Sequence, residues 1–174
     1  MDWHRKFLLP NIAAISSFTK DKTPEKKTLS VYINQLERKH FNEQGILTSK
    51  VHTDHAFQYS DTPDILHFEL PTFYFSGSNA LWRGKSTTAI GDFKTELTIL
   101  QGDVTFSRME DALTIYSDEL SVDNKKQAAY TEKPVKIDHS NSKTQAVGMQ
   151  LNLETETIQL NSHVHTFYQP DTVH

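Results

Sequence analysis

Leu100-Gln101-Gly102-Asp103-Val104-Thr105-Phe106 decides how this chain is read, because Leu160-Asn161-Ser162-His163-Val164-His165-Thr166 repeats its form: a leucine, a small residue two positions on, and a valine two beyond that. Between the copies lies Glu132-Lys133-Pro134-Val135-Lys136-Ile137, itself echoed upstream by Glu69-Leu70-Pro71-Thr72-Phe73-Tyr74. Taken as equivalent, Thr72, Val104, Val135 and Val164 fall about 30 residues apart, a period that belongs to stacked supersecondary units.

Each unit also has an earlier strand: Leu47–Val51, Leu81–Ser86, Leu113–Ser117 and Ala146–Leu151. Turns are announced by Asn42-Glu43-Gln44-Gly45, Ser60-Asp61-Thr62-Pro63-Asp64, Ser76-Gly77-Ser78-Asn79, Asp123-Asn124-Lys125-Lys126 and Ser140-Asn141-Ser142. Very little of the chain has the 3.6-residue period of a helix. A two-strand unit cannot bury its apolar face alone, so about four such units are expected to stack around a shared core, leaving an edge strand at each end. The composition agrees. A chain with 10 Phe, 6 Tyr, 2 Trp and many threonines suits a pleated sheet with one buried face.

Period-2 alternation assigns the faces. Phe68, Leu70, Thr72 and Tyr74 are expected on one side, with Leu100, Gly102, Val104 and Phe106, with Val135 and Ile137, and with Leu160, Ser162, Val164 and Tyr168. Glu69, Gln101, Asp103, Lys136, Asn161, His163 and His165 take the other side, and Phe73 and Phe75 break the rule. The apolar sides face each other across an interior that forms either a dry core or an open, lipid-accepting groove.

The 174 residues suit one domain of ordinary size. A net charge of −4 lacks the basic footprint of nucleic-acid binding, so no nucleic-acid partner is expected. The absence of cysteine removes disulfides, thiolate metal sites and cysteine nucleophiles. No nucleophile elbow, phosphate-binding glycine loop or His-Glu-x-x-His motif occurs, and adjacent acids such as Glu110-Asp111 would point to opposite sides of a strand. His163-Val164-His165 could suggest a cupin-like metal enzyme, since two imidazoles at i and i+2 point the same way. No third ligand follows them, however, and by parity the pair faces away from the interior. Neither catalysis, nor a metal, nor a cofactor is expected.

Residues 1–28 differ, with six bases against three acids. Their longest uncharged run, Phe7–Thr19, contains Pro10 and Asn11 and falls short of the roughly 20 apolar residues of a membrane-spanning helix. A basic segment and linker over 1–28, without a full transmembrane helix, a β-roll over 29–170 and a short tail over 171–174 are expected.

The ordered set Pro71-Thr72-Phe73-Tyr74-Phe75, Trp82, Leu100-x-Gly102-x-Val104, Thr131-x-x-Pro134-Val135-x-Ile137, Ala146-x-Gly148-Met149 and Leu160-x-x-x-Val164-x-x-x-Tyr168 resembles the LptC family, component C of the lipopolysaccharide export machinery of Gram-negative bacteria. The resemblance covers about residues 29–170. It implies a twisted antiparallel β-jellyroll, open at both ends, in the periplasm, associated with the inner membrane beside an ABC transporter. It implies that lipopolysaccharide acyl chains lie along the interior, for which the candidate residues are Leu36, Phe68, Thr72, Leu100, Gly102, Val104, Phe106, Val135, Ile137, Ile158, Leu160, Val164 and Tyr168. The implied partners are the transporter subunits LptF and LptG at the amino-terminal edge, near Leu29–Leu36, and the bridge protein LptA at the carboxyl-terminal edge, Leu160–Tyr168. The family's amino-terminal anchor has no clear counterpart in Phe7–Phe18. The sibling LptA shares the repeat and is the nearest alternative; the Phe41–Gly45 turn favours component C.

Overall fold

The computed structural model describes residues 27–168. The expectations for residues 1–26 and for the tail lie outside the described residues. Eleven strands form one antiparallel sheet, and no helix among the described residues is long and apolar enough to cross a membrane. The strands are β1 (Leu29–Phe41), β2 (Leu47–Tyr59), β3 (Ile65–Glu69), β4 (Thr72–Ser76), β5 (Leu81–Lys85), β6 (Thr88–Asp92), β7 (Leu97–Arg108), β8 (Thr114–Asp123), β9 (Ala128–His139), β10 (Ser142–Asn152) and β11 (Ile158–Tyr168). All five turns expected from the sequence fall between strands or at a strand end.

The sheet is folded over on itself. β2 pairs β3 through His55–Phe57 and β4 through Ser49–His52, while β7 pairs β6 through Leu97–Gln101 and β5 through Thr105–Arg108. Each long strand therefore contributes half its length to each of two leaves. Leaf A carries β3, β6 and the halves of β7 to β10 that end in the turns at 92–97, 123–128 and 152–158; leaf B carries β4, β5 and the other halves.

A line of corners separates the leaves. Leu70 (φ 48) breaks β3 from β4, Gly102 (φ 74) and Asp103 (φ 47) interrupt β7, Gly148 (φ 78) interrupts β10 and His163 (φ 51) interrupts β11. Register shifts mark the corners on β8, β9 and β10, between Ser117 and Ser121 and between Val147 and Met149. Bulges of this kind bend a strand and release its ladder locally. The corner backbone is tied across strands, with Leu70 N donating to the Thr87 carbonyl at 2.9 Å and Thr87 N to the Gly102 carbonyl at 2.8 Å.

The corner at Leu70 also resets the alternation, which explains why Phe73 and Phe75 seemed to break it. Leu70 is 74% exposed at its corner, and beyond Pro71 the parity is inverted, so Phe73 and Phe75 are buried. Thr72 is then paired with the exposed His52 and Lys85 and belongs to the outer face, not the interior as expected. Gly102 departs from expectation too. It is a half-exposed bulge residue, and a Cβ there would meet Thr87 at 3.0 Å, outside the interior.

Candidate lipid-accepting interior

The interior is lined from both leaves. Leaf A supplies Leu66, Phe68, Ala89, Leu100, Leu120, Val122, Met149 and Leu151, and leaf B supplies Phe73, Phe75, Trp82, Val104, Phe106, Ile115, Val135 and Ile137, all buried. Five aromatic rings form a continuous file through it. Centroids are 5.2 Å apart for Phe68 and Phe73, 5.6 Å for Phe73 and Phe75, 5.9 Å for Phe75 and Phe106, and 5.2 Å for Phe106 and Trp82. Aromatic contacts of this kind add to the ordinary burial of apolar area. The indole Nε1 of Trp82 is buried with no acceptor among the described residues.

Of the residues expected in the interior, Phe68, Leu100, Val104, Phe106, Val135 and Ile137 are buried there. Leu36 on β1, and Ile158 and Leu160 on β11, are half-buried and pack against the ends of the core. Val164 and Tyr168 are 49% and 71% exposed, on the leaf B half of β11, which is exposed throughout. Sequence reasoning missed Phe73, Phe75 and Trp82, the middle and end of the aromatic file.

The edge strands present unpaired backbone. β1 pairs only β2, and β11 pairs only β10, among the described residues. Both edges are apolar on the surface, through Leu29, Val31 and Tyr32 at one end and Val164, Phe167 and Tyr168 at the other.

The rims of the two leaves are built differently. On leaf A one turn is used three times: Asp92-Phe93-Lys94-Thr95-Glu96, Asp123-Asn124-Lys125-Lys126-Gln127 and Asn152-Leu153-Glu154-Thr155-Glu156. In each, the first side chain accepts from a backbone N–H two or three residues on, and the fifth residue has positive φ (Glu96 61, Gln127 49, Glu156 58). The second residue's N–H donates to the preceding rim turn: Phe93 to Asp64 at 3.0 Å, Asn124 to Glu96 at 3.2 Å and Leu153 to Gln127 at 2.8 Å.

The other rim meets these turns in order. The Arg38 guanidinium lies 3.2 Å from the Phe93 ring centre, Asn124 Nδ2 donates to Ser49 Oγ at 3.1 Å, and Gly77 packs so closely on Leu153 that a Cβ would overlap the Leu153 carbonyl oxygen. Finally Arg108 pairs with Glu156 at 2.6 Å. Arg108 also pairs with Asp111 in its own turn, which raises the guanidinium pKa and lowers that of Asp111 to about 2. Burial lowers the pKa of Arg38. At the Arg38 end a cavity of about 50 Å³ reaches Phe68 and Phe73.

An open groove of about 600 Å³ is lined by Tyr116, Lys136, Gln145, His163 and His165 together with the buried Val104, Val135 and Ala146. Among the described residues no three His, Asp or Glu side chains converge as metal ligands do.

No curated protein matches the chain. Among solved structures it is similar to LptH, the LptA homologous periplasmic component of the conserved lipopolysaccharide transport device from Pseudomonas aeruginosa, with a TM-score of 0.56 and 11% identity over 70% of this chain and 95% of that one. That likeness is one of fold. The family model for lipopolysaccharide assembly, LptC-related, matches residues 7–169, nearly the whole chain. The all-β folded sheet with its apolar interior agrees with that match, and the chain belongs to the LptC-related family of lipopolysaccharide-assembly proteins.

Proposed function

We propose that this protein accepts lipopolysaccharide from an inner-membrane ABC transporter and passes it to the periplasmic bridge protein LptA, holding the acyl chains against the interior of the folded sheet. The observation that carries this is the aromatic file from Phe68 to Trp82, set between two leaves and flanked by apolar edge strands at both ends. Hydrocarbon gains free energy by leaving water for such surroundings, at about 0.8 kcal/mol per buried CH₂. The buried Trp82 N–H, without an acceptor among the described residues, offers a donor to an acyl ester or hydroxyl oxygen. Transfer needs no bond to be made or broken in the lipid, so the protein acts as a carrier without a cofactor.

In this reading residues 29–170 form the periplasmic jellyroll, held at the inner membrane side, with residues 1–28 leading into it. LptF and LptG meet β1, and LptA adds its own strand to β11, the usual way in which exposed sheet edges bind extended partners. Native mass spectrometry of the protein isolated from its own membrane fraction tests the carrier role. An adduct of one lipopolysaccharide molecule is expected, and a protein free of lipid in every preparation would contradict it.

A further inference from the structure

The outer sides of the two leaves carry different surfaces. Residues paired across neighbouring strands stand side by side on one face, so the strand register draws rows across each leaf. On leaf A one row runs from Tyr32 through Phe57, His67 and Ile90 to Gln159, and the next from Asn34 through Glu69 to Glu119. Those two rows hold two acids, Glu69 and Glu119, and no lysine or arginine. On leaf B one row runs from Glu37 through His52, Lys85 and Lys136 to His165, and the next from Lys39 through Lys50, Arg83 and Lys143 to Phe167. These rows hold six bases, Lys39, Lys50, Arg83, Lys85, Lys136 and Lys143, against two acids, Glu37 and Asp138, on a chain whose net charge is −4. Glu37 bridges Lys39 and Lys50, and Asp138 holds Lys136, whereas Arg83, Lys85 and Lys143 pair with no carboxylate among the described residues. Asp54, Asp103 and Asp118 stand on the corner line at the border of this face, outside both rows.

We propose that the outer face of leaf B rests on the anionic headgroups of a phospholipid bilayer, with leaf A turned away from it. The inference goes beyond the carrier reading and stands without it, because it concerns which face of the roll meets the membrane and not what the interior holds. Spacing favours a bilayer over a single bound anion. Lys39 on β1 and Lys143 on β10 are seven strand steps apart, about 34 Å along the sheet at the usual strand spacing. Bases spread so widely do not converge on one phosphate, but a fluid layer can bring a headgroup to each of them. Residue type favours a bilayer over a protein. Five of the six bases are lysine, a residue depleted in protein interfaces, where aromatic and methionine anchors are enriched. Tyr116, one of the few aromatic residues in these rows, is itself covered by Lys136, whose ammonium lies 5.1 Å from the ring centre. Lysine keeps its ammonium hydrated on a long stem, which suits attraction to a charged surface across water.

Co-sedimentation with vesicles tests this. The full chain is expected to bind vesicles of equal parts phosphatidylcholine and phosphatidylglycerol, and not vesicles of phosphatidylcholine alone. Raising the salt from about 0.1 M to about 1 M shortens the screening length from about 10 Å to about 3 Å and is expected to release the protein. Lys85→Glu with Lys143→Glu, both at exposed positions, is expected to weaken binding by about tenfold or more. The milder Lys85→Gln with Lys143→Gln is expected to fall between that variant and the parent. Lys94→Glu with Lys125→Glu makes the same change in net charge on the rim of leaf A, and is expected to stay within about threefold of the parent, since charges off the docked face are screened. Equal losses in the two reversals would assign binding to net charge, and equal binding to both kinds of vesicle would assign it to something other than headgroup charge; either overturns the proposal. A reversal on leaf B that sediments like the parent but no longer captures LptA would give the face to a protein and overturn it too. So would a parent that sediments with neither vesicle, and none of these results bears on whether the interior takes up lipopolysaccharide.

Discussion

Arg108 stands 2.6 Å from the Glu156 carboxylate and 5.8 Å from the centre of the Trp82 ring, so one side chain ties the rim of leaf B to the rim of leaf A and covers the last ring of the aromatic file. Its own position is set by Asp111 three residues on, which takes the other side of the guanidinium fork. Only a planar, forked cation serves two carboxylates and a ring at once, and a lysine would serve one.

The first prediction concerns that pair. A double-mutant cycle with Arg108→Ala and Glu156→Ala, read by urea unfolding, is expected to give a coupling of about 0.5–1 kcal/mol, the upper part of the range for partly exposed ion pairs. A coupling of zero would show that the two rims are held by the apolar contacts alone.

Gly77 supplies a second test. Any side chain there meets main-chain oxygen on the opposite rim, which cannot swing aside as a side chain would. Gly77→Ala is expected to cost about 1–3 kcal/mol by overpacking, or to hold the two rims apart. Thermal melting and the binding of a hydrophobic dye should therefore change together; a variant unchanged in both would place Gly77 away from the contact.

The pH dependence follows from Asp111. Its carboxyl is held at about 2 in the folded protein, first by the hydrogen bond from Arg108, against an ordinary value of 3.8. A depressed folded-state value means that the stabilisation is complete above the ordinary value and is lost as the pH falls from near 4 towards 2. The group is largely solvated, so the effect is small. Asp111→Asn should lower the urea midpoint at pH 7 and bring it closer to that of the parent at pH 2. A difference that persists undiminished at pH 2 would assign the effect to something other than this ionisation.

The two edges make a fourth prediction. Val164→Lys with Phe167→Lys places charges on β11, and Val31→Lys with Tyr32→Lys does so on β1, a change that blunts edge pairing without touching the core. The first pair is expected to abolish capture of LptA while sparing co-purification with the transporter, and the second to do the reverse. The opposite pattern would mean that the polarity of the roll has been assigned backwards.

Much of this fold is legible in the residues. The turns at Asn42–Gly45 and Ser60–Asp64 carry their own chemistry, and the strands between them alternate as a half-buried sheet must. What alternation cannot show is where it is reset. Leu70, Asp103 and His163 adopt positive φ although none is glycine, because the corner imposes it, and at Leu70 the faces of everything after it are shifted, whereas Leu100 and Val104 keep one parity across the bulge at Gly102 and Asp103. The shift at Leu70 is why Thr72 is expected inside and found outside and why Phe73 and Phe75 are expected outside and found in the core, while Gly102 is outside because it is itself a bulge residue. One legible signal was passed over. Asp92–Glu96, Asp123–Gln127 and Asn152–Glu156 repeat one turn with an acid or amide first, and only Asp123–Lys126 stood out by its composition. Their partners on the other rim, Arg38, Ser49, Gly77 and Arg108, had no such mark, since their pairing depends on how one leaf is set against the other.

The measurement that bears most directly on the account is photo-crosslinking in cells, with a photoreactive residue placed at Phe75 in the aromatic file, at Val104 beside it, and at Lys136 or Thr72 on the outer face. Lipopolysaccharide captured from Phe75 and Val104 but not from Lys136 or Thr72 is the result expected if the acyl chains occupy the interior. Capture from Lys136 and Thr72 with none from Phe75, in variants shown by circular dichroism to be folded, would contradict it.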